Sequence, residues 1–257
     1  MNFKEIEKKR YNDFHKEKEL EILELKTIGY ESVSYAISSP YEYYHEKLQR
    51  LSENCKTHLD ICCGDGRHSF TTARLGCNVT ALDFSSSSIK IANKRAEVLN
   101  CNVKFTCCDF EEFEIPENSL DIISIVGSLS YLNLEYFISF CNKALKEEGH
   151  LIILDSFDYN PIYRINRFMH FLKGNRSRFV NTQIPNISTL KKIHSDFAIK
   201  EKKFFGTFTF LYPLLVKFLS EDKIKVLLDY LDKLLPSNLG FKLVLVAQKH
   251  NTKNLTA

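Results

Sequence analysis

This 257-residue sequence lacks a long apolar run, a secretion signal and a large net charge, and each absence excludes a class of protein. No run approaches the roughly 20 apolar residues that span a bilayer, so we expect no transmembrane helix. The charged amino terminus lacks the apolar segment of a secretion signal, which predicts a cytoplasmic protein. A net charge of only +3 argues against a nucleic-acid-binding protein, because such proteins concentrate positive charge.

Metal-binding and disulfide patterns are also missing, although the chain has eight cysteines. No two cysteines are spaced as Cys-x-x-Cys, and the adjacent pairs at 62–63 and 107–108 would point to opposite faces of a strand. Such pairs cannot easily ligate one metal ion. We therefore expect reduced, buried thiols and no metal site.

A short buried strand, a glycine turn and a helix start follow one another between residues 58 and 68. Gly64 and Gly66 allow a sharp turn that brings the backbone close to a ligand. The amides of the helix start favour a ligand with a carboxylate or phosphate. The next strand ends in Asp83, 17 residues after Gly66, where an acid can accept hydrogen bonds from ribose hydroxyls.

The same loop is a poor site for a pyrophosphate. Ser69 occupies the position of the third glycine in the dinucleotide-binding fingerprint. Asp60 and Asp65 would repel a diphosphate, whereas they suit a ligand that carries an amine and a sulfonium. A nicotinamide-dependent oxidoreductase is therefore the weaker alternative.

Five motifs in chain order resemble those of the class I S-adenosylmethionine-dependent methyltransferases. Residues 60–66 match their Asp-x-x-x-Gly-x-Gly motif, and Asp83 matches their ribose-binding acid. Residues 107–110, Cys-Cys-Asp-Phe, look like the motif whose acid contacts the adenine amino group. Residues 120–127 and 149–155 look like the fourth and fifth strands of the family.

The resemblance implies a Rossmann-like α/β fold, with a mostly parallel seven-stranded sheet and helices on both faces. The alternation of strands and helices favours the same parallel sheet. The last two strands would form a hairpin that carries an insertion. We expect a helical extension or lid over residues 1–40 and a methyltransferase domain over residues 41–257. The cofactor-binding core of that domain would cover residues 41–155, and the acceptor-side region residues 156–240.

S-adenosylmethionine is the cofactor that the resemblance implies, with S-adenosylhomocysteine as the product. The methionine end would meet Gly64 and Gly66, and the ribose would meet Asp83. The adenine would meet Asp109 and Phe110. The full set of expected cofactor-binding residues is Asp60, Gly64, Gly66, Asp83, Phe84, Asp109, Phe110 and Ser128.

Positive charge and aromatic side chains distinguish the segment after the fifth predicted strand. Between residues 160 and 205, ten Lys and Arg stand against two acidic residues. Arginine forks in this segment suit an anionic acceptor, and a solvated basic face is the alternative. The candidate substrate-binding residues are Tyr44, Tyr131, Tyr159, Arg164 and Arg167.

We expect transfer of a methyl group to an oxygen or nitrogen of a small, anionic or sugar-containing acceptor. Residues 158–167 are similar to bacterial methyltransferases of surface-glycan and natural-product sugars. A hydroxyl acceptor needs a base, for which Asp155 and His170 are the candidates. The apolar residues 211–219 suit either buried packing or contact with a lipid-linked acceptor. A non-catalytic S-adenosylmethionine-binding subunit is the alternative function.

Overall fold

The computed structural model describes residues 3–24, 33–172, 183–234 and 237–250. Its strands are β1 (Thr57–Ile61), β2 (Asn78–Asp83), β3 (Val103–Cys107), β4 (Leu120–Val126), β5 (Leu145–Ser156), β6 (Phe197–Phe205) and β7 (Lys242–Lys249). Its α-helices are α1 (Phe3–Glu24), α2 (Ser39–Ser52), α3 (Ser69–Ala73), α4 (Ser86–Leu99), α5 (Leu134–Ala144), α6 (Pro161–Leu172), α7 (Ile187–Asp196), α8 (Tyr212–Leu215) and α9 (Glu221–Leu234).

The seven strands form one sheet in the order β3-β2-β1-β4-β5-β7-β6. Strands β1 to β5 run parallel, whereas β7 is antiparallel to both β5 and β6. The expected Rossmann-like sheet with a final hairpin is therefore confirmed, and the insertion in that hairpin holds α8 and α9. The strand order reverses between β1 and β4, which is where ligands bind in such sheets.

The central strands are apolar because helices cover both faces of the sheet. On one face, Leu59 of β1 and Ile123 of β4 pack with Phe137 of α5, and all three are fully buried. On the other face, Tyr44 of α2 packs against Ile122 of β4. Burial on both faces fixes the strand register, because a one-residue slip would exchange the two faces.

Two glycines with positive φ values lie in strand-to-helix connections at points where no side chain fits. Gly66 has φ +77°, and a Cβ there would lie 2.6 Å from Cζ of Phe105. Gly206 has φ +78°, and a Cβ there would lie 2.5 Å from Cε1 of Phe241. Strand β6 ends at Phe205 because the backbone turns at Gly206.

Helix α1 lies across the start of α4. Oδ1 of Asn12 accepts hydrogen bonds from Oγ of Ser85 (2.8 Å) and from the amide of Ser87 (3.3 Å). His15 Nδ1 lies 3.1 Å from Oγ of Ser88. Ser85 is also the N-cap of α4, since its hydroxyl accepts the Ser88 amide.

No helix in the described ranges combines the length and the apolar character needed to cross a membrane.

Buried neutral histidines make the stability of this fold depend on pH. Burial lowers the pKa of His45 to about 4 and that of His58 to about 3. In the unfolded chain both return to about 6.5, so the unfolded state binds more protons below that value. Stability therefore falls from about pH 6.5 toward pH 4. Burial raises the pKa of Asp60 to about 6, which opposes this effect.

We predict that His45→Gln reduces the loss of melting temperature between about pH 7 and pH 4.5. Circular dichroism melts measure the melting temperature of the variant and of the parent at both pH values. Asp60 is present in both proteins, so its opposite contribution cancels when the two are compared. The control is His194→Gln, because His194 is exposed on α7. Equal pH slopes for His45→Gln and the parent would contradict the prediction.

Candidate functional site

A cavity of about 280 Å³ lies at the edge of the sheet where β1 to β4 end. Its walls come from α1 and from the loops that follow these four strands. Six of the expected cofactor-binding residues line it: Gly64, Asp83, Phe84, Asp109, Phe110 and Ser128. The structure therefore brings together residues that are up to 64 positions apart in the sequence.

Asp83 ties the glycine loop to β2 and faces the cavity. Its Oδ2 accepts the amide of Gly64 at 2.9 Å, and its Oδ1 accepts the amide of Ser85 at 2.8 Å. Burial raises the pKa of Asp83, while these two amides favour the charged form. Each carboxylate oxygen has a second lone pair, so Asp83 can still accept hydrogen bonds from a ligand.

Asp109 and Phe110 form the opposite wall at the end of β3. Oδ1 of Asp109 accepts the amide of Glu111 at 3.0 Å, and its Oδ2 pairs with Nζ of Lys4 at 2.7 Å. The same lysine pairs with Glu111 at 2.7 Å. The ring of Phe110 lies edge-on to Phe140 with centroids 4.8 Å apart, which fixes its position beside the cavity.

Asp60 and Gly66, also expected to bind the cofactor, do not line the cavity. Asp60 is buried and accepts hydroxyl hydrogen bonds from Ser69 (2.6 Å) and Ser124 (2.7 Å). Gly66 faces Phe105 and Phe70. Both residues therefore hold the loop in place, and the expectation that they contact a ligand directly is not supported by this geometry.

An ion cluster fixes the tip of the glycine loop. Asp65 binds Arg67 through both carboxylate oxygens and pairs with Arg95 of α4 at 3.0 Å. Burial opposes ionisation of Asp65, but its bonds to Arg67 and the charge of Arg95 lower its pKa to about 2. The loop is thus joined to α4, and Asp65 stays charged at neutral pH.

Two histidines meet behind this loop. His68 lines the cavity, and its Nδ1 lies 3.0 Å from Nε2 of His45. His45 Nδ1 in turn lies 2.9 Å from Oγ1 of Thr71. Burial, followed by the neighbouring His45 and Arg67, lowers the pKa of His68 well below its ordinary value. His68 is thus a neutral imidazole whose Nδ1 is occupied.

Helix α1 supplies five cavity-lining residues that the sequence analysis did not name: Lys4, Glu7, Tyr11, Phe14 and His15. The hydroxyl of Tyr11 lies 3.2 Å from that of Tyr131, which itself lies 3.1 Å from Nη2 of Arg10. The Tyr11 ring also packs near Phe84, with centroids 6.2 Å apart. The aromatic residues that are interspersed among the charged residues of α1 were the sequence feature that could have indicated this contact with the cavity.

Of the expected substrate-binding residues, Tyr131 lines the cavity and four others do not. Tyr44 is fully buried between α2 and the sheet, so it cannot touch a substrate in this arrangement. Tyr159 and Arg164 are exposed to solvent. Arg167 is buried and forms an ion pair with Asp158.

Of the two expected bases, only Asp155 has a side chain that the structure describes. Asp155 is buried outside the cavity, where its carboxylate accepts the amides of Leu129 (2.8 Å) and Ser156 (2.6 Å). It holds the connection after β4 in place. The backbone of His170 belongs to α6, but its side chain lies outside the described part of the structure.

Comparison with known proteins identifies the central part of the chain. Residues 59–149 match the model of a methyltransferase domain. A ubiquinone biosynthesis O-methyltransferase of Coxiella burnetii is 31% identical over 104 residues, 40% of this chain and 44% of that protein. Phosphoethanolamine N-methyltransferase 1 of Triticum aestivum is 36% identical over 106 residues, 39% of this chain and 21% of that protein. The chain thus spans less than half the length of these relatives.

Solved structures extend the likeness beyond the matched segment. Geranyl diphosphate C-methyltransferase from Streptomyces coelicolor A3(2), in complex with Mg²⁺, geranyl diphosphate and S-adenosyl-L-homocysteine, superimposes with a TM-score of 0.57. It is 16% identical, and the match covers 81% of each chain. The match of residues 59–149 to a methyltransferase domain and the shared Rossmann-like fold therefore confirm the resemblance to the class I S-adenosylmethionine-dependent methyltransferases that the five motifs indicated.

Proposed function

We propose that this protein binds S-adenosylmethionine in the cavity and transfers the methyl group to an oxygen or nitrogen of a small-molecule acceptor. The observation that carries the proposal is the convergence of Asp83, Asp109 and Gly64 on one cavity at the switch point of the sheet. The methyltransferase domain match supports the same reaction class.

Two features of the cavity fit an adenosyl ligand. Gly64 has open space where a side chain would begin, so its backbone is accessible to the methionine end. Asp83 has unused lone pairs for ribose hydroxyls, and Asp109 with Phe110 offers an acceptor and an aromatic ring to adenine. The bound cofactor would supply an electrophilic methyl group, and these residues would hold it in one orientation.

Helix α1 acts in this proposal as a lid. It covers the cavity from the side opposite the sheet loops, and Tyr11 and Phe14 exclude water from the space they line. Exclusion of water and alignment of the reactants are the main requirements of a methyl transfer. The contacts of Lys4 and Tyr11 with the loops after β3 and β4 support a closed position.

The acceptor in this proposal is small, because the cavity is small and α1 covers it. Both cavity-lining cations, Lys4 and Arg67, already pair with carboxylates. Outside the cavity, Arg164 of α6 also pairs with a carboxylate, that of Asp158 at 3.4 Å, but 64% of its side chain is exposed, so it is the cation that we assign to an anionic or sugar-phosphate group of the acceptor. His68 is the neutral imidazole that lines the cavity, so we assign it to receive a proton from an acceptor hydroxyl, as a weak base because burial, His45 and Arg67 lower its pKa.

Ligand binding and methyl transfer test the proposal in two steps. Calorimetry with S-adenosylmethionine, S-adenosylhomocysteine and NAD should show binding of the two adenosyl ligands alone. Tritiated methyl transfer is then assayed with phosphoethanolamine, catechol and geranyl diphosphate as amine, hydroxyl and carbon probes, and with a cell extract. The proposal would be contradicted if the protein bound NAD alone. It would also be contradicted if the protein bound S-adenosylmethionine but no acceptor fraction acquired label, and that result would favour a non-catalytic binding subunit.

We predict that Asp83→Ala weakens S-adenosylhomocysteine binding by about 1–3 kcal/mol, because charge-assisted hydrogen bonds to the ribose are lost. Isothermal calorimetry measures the change. Asp83→Asn, which keeps one acceptor oxygen, should lose less affinity. Unchanged affinity in Asp83→Ala, with an unchanged circular dichroism spectrum, would show that Asp83 does not bind the ribose.

We predict that Tyr11→Ala weakens S-adenosylhomocysteine binding by about 0.5–1.5 kcal/mol through loss of its aromatic contacts over the cavity. The matched control is Ile6→Ala, because Ile6 lies on the same helix, is 45% exposed and does not line the cavity. Equal affinities of the two variants would argue against α1 as a lid.

We predict that His68→Gln lowers kcat for a hydroxyl acceptor by roughly 10²-fold, the lower end of the usual contribution of a general base, because the lowered pKa of His68 makes it a weak base. The acceptor is the one that the transfer assay identifies. S-adenosylhomocysteine affinity should change little, because the proton is taken from the acceptor. A parent-like kcat in this variant would exclude His68 as the base.

A further inference from the structure

Glu7 of α1 is a buried acidic residue on a helix whose charged residues mostly face solvent. It lines the cavity and is only 2% exposed. The other acidic residues of α1 whose side chains the structure describes are exposed, namely Glu5, Asp13 and Glu17. Burial of a carboxylate is costly unless hydrogen-bond donors satisfy its oxygens. The position of Glu7 therefore requires a donor in or beside the cavity.

Arg10 gives Glu7 a neighbouring charge but no hydrogen bond. Its Nη2 lies 2.9 Å from Oε2 of Glu7, yet no donor in the described part of the chain makes a hydrogen bond to this buried oxygen. The same Nη2 donates to the hydroxyl of Tyr131 at 3.1 Å, and the guanidinium lies 5.0 Å from the centroid of the Tyr11 ring. Pairs at this spacing also form on exposed helix faces, so Arg10 does not explain the burial of Glu7.

Aromatic rings line the same cavity beside Glu7. Tyr11 follows Glu7 by one helical turn, which places both side chains on one face of α1. The Tyr11 ring meets that of Tyr131 edge-on, with centroids 5.9 Å apart, and its centroid lies 6.2 Å from that of Phe84. All three rings line the cavity together with Glu7. A carboxylate among aromatic rings provides the chemistry that binds an organic cation.

The contacts of α1 place Glu7 over the loops that follow β2, β3 and β4. Lys4, one turn before Glu7, pairs with Asp109 after β3. Tyr11, one turn after Glu7, contacts residues that follow β2 and β4. The proposed function assigns the methionine end of the cofactor to Gly64, after β1, and the adenine to Asp109. These assignments leave Glu7 for the acceptor.

We infer that Glu7, together with Tyr11 and Tyr131, binds an amino group of the acceptor, so that the substrate of this protein is an amine. This inference rests on the proposed methyl transfer and names its substrate class. The bound ammonium first releases one proton to water, and Oε2 of Glu7 accepts a hydrogen bond from an N–H group that remains.

The transfer itself then moves charge toward Glu7. The nitrogen lone pair forms the new C–N bond while the C–S bond breaks, and the electron pair of that bond stays on sulfur. The positive charge of the sulfonium thus passes to the nitrogen, where the carboxylate of Glu7 stabilises it as it develops. An amine that has already lost its proton needs no base in the cavity, so this step does not involve His68.

Phenethylamine and 2-phenylethanol test the site, because one carries an amino group where the other carries a hydroxyl. Calorimetry measures both affinities, with and without saturating S-adenosylhomocysteine. The parent should bind the amine roughly tenfold more tightly than the alcohol. Glu7→Gln should remove most of this difference, since the bond to a charged oxygen is lost. The matched control is Glu17→Gln, because Glu17 is exposed on the same helix and does not line the cavity.

The affinity for S-adenosylhomocysteine separates the acceptor from the cofactor. A folded Glu7→Gln variant, checked by circular dichroism, should bind S-adenosylhomocysteine like the parent. Weaker binding of this ligand with an unchanged preference for the amine would overturn the inference, because Glu7 would then bind the cofactor. Equal affinities of the parent for amine and alcohol would also overturn it, and would leave the proposed methyl transfer standing if S-adenosylhomocysteine binds. A parent that prefers the amine through Glu7 but binds no S-adenosylhomocysteine would support the amine site and contradict the proposed methyl transfer.

Discussion

The buried carboxylate of Asp60 joins the three elements that position the cavity. It lies in β1 and accepts hydroxyl hydrogen bonds from Ser69 of α3 and Ser124 of β4. His58 extends the network, with Nε2 2.8 Å from the Ser124 hydroxyl and Nδ1 2.7 Å from that of Thr72. An unpaired carboxylate at this depth would be costly, so each partner is needed. The glycine loop thus depends on a polar network beneath the cavity floor.

Much of the site could be predicted from the residues that stand at the ends of the predicted strands. Asp83 and Asp109 follow parallel strands, whose carboxyl ends share one edge, and both line the cavity. Asp155 also ends a strand, but two backbone amides occupy its carboxylate. Sequence position places a side chain at an edge. It does not reveal whether a neighbouring loop will use that side chain for its own hydrogen bonds.

Contacts between distant segments were the part that the sequence could not predict. Lys4 meets Asp109, and Tyr11 meets Tyr131, across more than a hundred residues of chain. The charged pattern of α1 predicts a helix, but not the surface on which it lies. Tyr44 shows the converse, because an aromatic residue with a polar hydroxyl is fully buried when its helix faces the sheet. Helical periodicity alone does not distinguish these outcomes.

The packing of Gly66 against Phe105 affects how inactive forms of this protein should be made. The second glycine of such a loop is a natural choice for a substitution intended to abolish ligand binding. Here a Cβ at this position would collide with a core ring of β3, so the resulting protein would be damaged in its core as well as in its site. Loss of activity in such a protein would report misfolding. Asp83→Asn is the sounder choice for a folded reference with weakened binding, because Asp83 faces the cavity and asparagine keeps one acceptor oxygen for the loop amides.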